Sequence, residues 1–131
     1  MNLLDIIERN HFLKQLYPNG ISDLFIGRID LNCFDRSSIA LHLLKKPKLE
    51  VKKWGDWNID YNVVVVDLLM TSIKKININE WQNNQMQISE ISIENKNNEV
   101  KRLLFKTSSW SAEFEFEFMT YQSASVYLIE I

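Results

Sequence analysis

From Ala112 to Phe118 the chain alternates without a break. Phe114, Phe116 and Phe118 hold one parity, and Glu113, Glu115 and Glu117 the other. Successive side chains of an extended chain point to opposite faces, so a strand buries the phenylalanines and solvates the glutamates together. A helix would scatter both sets around its circumference. One such strand is not stable alone. It needs neighbours to complete its hydrogen bonds and a layer to cover its apolar face.

The same two-residue period recurs along the chain. Phe25, Gly27, Ile29, Leu31 and Cys33 share one parity, against Arg28, Asp30 and Asn32. Ile39, Leu41 and Leu43 form a second strand, closed by Lys45-Lys46-Pro47. The stretch from Tyr61 to Met70 is apolar on both parities and reads as a central strand covered on both faces. Ile76 and Ile78 alternate with Lys75, Asn77 and Asn79 up to Trp81, and Asn83-Asn84 marks a turn. Met86 and Ile88 open another strand, with Ile91 and Ile93 on the opposite parity, which requires a bulge or break between them. A turn at Asn95 to Asn98 precedes a strand from Val100 to Thr107, and Ser125 to Ile131 closes the chain.

Ahead of all this, residues 2–16 have helical spacing at Leu3, Ile6, Ile7, Leu13 and Leu16. Asn2 is a capping residue, Asp5 suits the positive end of the first turn, and Pro18-Asn19-Gly20 ends the helix. The expectation is an α+β, β-rich fold. An N-terminal helix precedes a mostly antiparallel meander of about seven or eight strands, able to curl into a half-barrel, in one domain spanning 1–131.

Composition narrows the function. The 131 residues are 46% hydrophobic and 24% charged, enough apolar material for a core in a chain of this length. The net charge of −2 gives no general attraction to nucleic acid or an anionic membrane. Cys33 is the one cysteine, so no internal disulfide and no cysteine metal cluster can form, and a reducing cytosol fits. Acidic and basic residues interrupt the N-terminal apolar positions, which argues against a secretory signal. The apolar run from Val63 to Met70 is too short to span a bilayer. Gly20, Gly27 and Gly55 are too scattered for a phosphate loop, and no cofactor motif is present.

One order of features points further. Pro47 leads through a lysine-rich stretch to Trp54. Then follow Asn62, Val63, Val65 and Leu68 on an apolar strand, and an Ile76-x-Ile78 strand ending at Trp81. Over roughly residues 20–131 this order resembles the immunity protein 50 family of bacterial polymorphic-toxin systems. The resemblance implies a small cytosolic protein that binds and neutralises a cognate toxin domain, without a cofactor. It carries over no set of toxin-contacting residues.

The residues themselves offer several sites, each with a plainer structural reading. His11 and His42 could each act as a base, but neither sits in a hydrolase, metal or thiol motif, and structural histidines are the default. Catalysis is therefore not expected. The lysines between 45 and 53, followed by Trp54 and Trp57, could form a nucleic-acid-binding module over Lys45–Trp57. The plainer reading is a solvated loop with tryptophans packed in the core. The third possibility is a small ligand-binding half-barrel with a polar pocket at His42. The Glu113, Glu115 and Glu117 ladder is either a solvated face, paired with Lys101 and Arg102, or an acidic surface for a basic partner. Trp54 and Trp57 are the other candidate partner contacts, since tryptophan anchors interfaces as well as cores. Cys33, on the apolar parity of its strand, is expected to be buried and inert.

Overall fold

The computed structural model describes residues 1–34, 36–82 and 84–130. The strands are β1 (Ile7–Glu8), β2 (Leu24–Asp30), β3 (Arg36–Leu43), β4 (Val63–Asn79), β5 (Glu90–Asn95), β6 (Lys101–Lys106) and β7 (Ser111–Tyr127), with one α-helix, α1 (His11–Leu16). They form a seven-stranded sheet in the order β2-β3-β4-β7-β6-β5, with β1 added to β7. All pairings are antiparallel except the short parallel contact of β1 with β7. The β-rich, mostly antiparallel fold read from the sequence is the fold observed.

The N-terminal helix is a correction. Asn2 does cap, accepting from the Leu4 amide at 3.0 Å while its own amide donates to Asp5 at 2.9 Å. What it caps is a 3-10 turn over Leu3–Ile6, not a helix running to residue 16. Beyond it, Ile7 and Glu8 extend and pair with Met119 and Thr120. The physical reason lies in β7, whose pairing with β6 ends at Phe116 and leaves open backbone groups just beyond. Arg9, at φ 58°, turns the chain into α1.

β4 and β7 dominate the sheet. Each has 17 residues and would reach about 55 Å if straight. Both instead bend, with register shifts at Asp67/Leu68 and Ile73/Lys75. Two sequence boundaries are thereby corrected. The strand from Tyr61 and the Ile76-Ile78 strand are one continuous β4, and the Ala112 and Ser125 strands are one continuous β7. The run Thr71-Ser72-Ile73-Lys74-Lys75 loses its alternation because the pair bulges there, and Ser72 takes φ 53°. Nor is β4 covered equally on both faces. Val64, Val66, Leu68 and Met70 are buried, whereas Val65, Asp67 and Leu69 are half-buried. The break expected between Ile88 and Ile91 is present, but Met86 and Ile88 lie outside the strands, and β5 starts at Glu90. The turn expected at Asn83-Asn84 and the end of the last strand at Ile131 lie partly outside the described residues.

One face of the sheet carries the core. Leu24, Leu43 and Val64 form one row across β2, β3 and β4, and Ile26, Leu41 and Val66 the next. The 3-10 turn and α1 cover them with Leu3, Leu4, Ile6, Leu13 and Leu16. Phe105, Phe114 and Phe116 continue the same core at the other end. The sheet curls until its ends approach. The Ile88 amide, just ahead of β5, donates to the Leu24 carbonyl of β2 at 2.8 Å. The curl stops short of a closed barrel.

Candidate protein-binding site

The acidic ladder is built into the protein's own electrostatics. Glu113 accepts from the Arg102 guanidinium at 2.6 Å and lies 3.5 Å from the Lys75 ammonium. Glu115 is buried, 3.0 Å from Lys96 and 3.9 Å from Lys75. Arg102 also reaches Glu94 at 3.8 Å. Its hydrogen bond holds the Glu113 carboxyl below the usual glutamate range, against a smaller opposing effect of desolvation. Lys101 takes the other route, donating to the backbone carbonyl of Glu117 at 2.8 Å. Two of the three carboxylates are therefore neutralised by cations from β4, β6 and the β5–β6 turn. Glu117 has no ion pair among the described residues.

The tryptophans divide. Trp54 is buried, its ring edge-on to Phe12 and Tyr61, each at 6.0 Å. Trp57 is half-buried and edge-on to Tyr61 at 5.3 Å. Trp110 is buried under Trp81, with ring centroids 4.5 Å apart. Trp81 keeps 37% of its surface exposed.

That exposed ring belongs to a feature the sequence did not reveal. Trp81 and Ile78 face Gly27, Arg28, Ile29 and Leu31 across an open groove of about 430 Å³. Leu31 continues it into a second groove of about 470 Å³, with Ile73, Ile76 and Cys33. At the tip of the β2–β3 connection Phe34 is 83% exposed, and Leu31 is 54% exposed. Unbroken alternation extends the strand through Leu31 to Cys33 and places both inside. β2 in fact ends at Asp30, and Cys33 is exposed, which corrects its expected burial. The available signal was Asn32. Its side chain accepts from the Phe34 amide at 2.8 Å, the local turn that asparagine favours.

A third depression adjoins the groove at Gly27 and Trp81, a polar cleft of about 270 Å³ that includes Phe25, His42 and Tyr127. His42 stacks on Phe25 at 4.7 Å, and its Nδ1 lies 2.7 Å from the Tyr127 hydroxyl. Burial lowers the His42 pKa, opposed in part by the Asp67 carboxylate. His11 is exposed on α1, 3.4 Å from the Gln15 amide. The two histidines are not brought together, and among the described residues no three His, Cys, Asp or Glu side chains are grouped to hold a metal. No helix among the described residues is long and apolar enough to cross a membrane.

No family model matches the chain, and no solved structure matches it. Among curated proteins, Photosystem II extrinsic protein V of Aphanothece halophytica is 39% identical over 51 residues. That stretch is 38% of this chain and 31% of the relative, so the chain spans under a third of the relative's length.

Proposed function

We propose that this chain is a stoichiometric protein-binding domain acting as an immunity protein. It would occlude a functional surface of a cognate bacterial toxin domain in the cytosol. The resemblance in the order from Pro47 to Trp81 suggests the class. The observation that carries the binding role is the apolar groove, which exposes Leu31 and Trp81 beside Ile73, Ile76 and Ile78, with Phe34 exposed on the same β2–β3 connection as Leu31. Large apolar side chains clustered on a surface are costly to hydrate and mark sites that another molecule covers. Tryptophan is among the residue types most enriched as interface anchors, and Trp81 lines the groove with part of its surface exposed.

The test is co-expression with a toxin domain, sought first among the genes beside the one that encodes this chain, scoring growth. Wild-type protein is expected to restore growth in proportion to its expression, and Phe34→Asp to abolish protection while melting like wild type. Absence of rescue by wild type rejects the immunity reading. Full rescue by Phe34→Asp and by Leu31→Asp moves the contact away from the groove.

A further inference from the structure

Lys45, Lys46, Lys48, Lys52 and Lys53 are all exposed, and among the described residues none has a carboxylate within ion-pair distance. Glu50 is the one acid among them. Five positive charges against one negative leave a balance of +4 within nine residues of a chain whose net charge is −2. The acidic ladder, by contrast, is occupied by Lys75, Lys96 and Arg102. Of these two clusters, the basic one is therefore the one left without ion pairs among the described residues.

The lysines stand on a fixed backbone. The Tyr17 hydroxyl donates to the Lys45 carbonyl at 2.9 Å, the Lys48 amide donates to the Leu16 carbonyl at 2.7 Å, and Pro47 between them is buried. Lys45, Lys46 and Lys48 consequently share the wall of one small cleft of about 100 Å³ with Tyr17 and Pro18. Complementing the end of α1 does not account for them. That helix has six residues, and the Leu16 carbonyl already has the Lys48 amide. Like charges held together cost stability unless something of opposite sign meets them.

Nucleic acid is the other polyanion such a cluster could meet. Binding of a single strand needs aromatic faces for the bases as well as charge. Trp54 is buried in the core, and Trp57 is packed edge-on against Tyr61, so both aromatics beside the lysines are engaged within the fold.

We propose that the Lys45–Lys53 segment docks an acidic surface of the partner protein. This rests on the protein-binding reading and supplies the charge of the partner. Complementary charge of this kind acts mainly on the rate of encounter and is weakened by salt.

The experiment titrates the full chain with short poly-L-glutamate at low salt, following backbone amide resonances. A single-stranded oligonucleotide of matched charge is the second probe. Saturable shifts centred on residues 45–53 are expected with poly-L-glutamate. Lys46→Gln/Lys48→Gln should weaken that binding by about fivefold or more, and Lys74→Gln/Lys106→Gln by less than about twofold. Equal weakening by the two double variants overturns the proposal, because net charge alone would explain it. So does tighter binding of the oligonucleotide, or the absence of saturable shifts at residues 45–53. In the growth experiment, undiminished rescue by Lys46→Gln/Lys48→Gln overturns this docking surface alone, whereas failure of wild type rejects the reading beneath it.

Discussion

His42 of β3 and Tyr127 at the end of β7 meet through a 2.7 Å hydrogen bond between ring nitrogen and phenolic hydroxyl, on the sheet face away from the helix. Burial lowers the His42 pKa, so folding favours the neutral ring. The unfolded chain then binds the proton more readily. Stability is full above the unfolded histidine value of about 6.5 and is lost as pH falls from there through the lower folded value. Chemical denaturation between those limits should show stability rising with pH, and His42→Gln should flatten the slope. The Glu113 contribution also weakens in acid, but it does so at and below the usual glutamate range, starting lower than the His42 loss. An unchanged slope in His42→Gln would show that the ring does not titrate with folding.

Gly27 lies under that same ring. A Cβ built there would sit 2.0 Å from His42 Nε2, a clash with a ring held on its other sides by Phe25 and Tyr127. Gly27→Ala should cost about 1–3 kcal/mol through overpacking. In Gly27→Ala/His42→Ala the costs should sum to less than the separate losses, since the second change removes what the first collides with. Additive losses in urea denaturation would refute the contact.

The phenylalanines of β7 should separate into two classes. Phe114 and Phe116 are fully buried, and truncating either to alanine should cost about 3–5 kcal/mol. Phe118 is 44% exposed, and its truncation should stay within about 0.5 kcal/mol. Equal losses at all three positions would mean that the alternation continues unbroken past Glu117.

Cys33 lines the open groove and is exposed. A thiol reagent should modify one cysteine per native chain without denaturant. Phe34→Asp-sensitive protection should also fall after modification, because the added group occupies the groove. Labelling that begins only on unfolding would return Cys33 to the interior.

Periodicity settled a good deal. Alternation at Ile39–Leu43 and at Phe114–Phe116 declared strands and their buried faces, because in an unbroken strand the facing of a side chain follows from its position alone. At Phe25–Ile29 it declared the strand but not the face: the bulge between Ile26 and Arg28 breaks the parity, Leu24 and Ile26 enter the core, and Phe25 stacks on His42 on the other side. The cap at Asn2 was also legible, since its partners lie two to three residues away. What the sequence could not show was anything decided by distant backbone. Ile7 and Glu8 left the helix for an open stretch of β7 more than a hundred positions on. The apparent gap at Thr71–Lys75 was a bulge within one long strand, visible only once β7 lay beside it. The charge on the binding surface was decided in the same way. In the sequence the Glu113–Glu117 ladder reads either as a face paired with Lys101 and Arg102 or as a free acidic surface. The sheet brings Arg102, Lys75 and Lys96 to Glu113 and Glu115 from three other segments, whereas Lys45, Lys46 and Lys48 lie at the end of α1, where among the described residues no carboxylate reaches them. Local pattern fixes which way a side chain points, and tertiary structure fixes what it meets there.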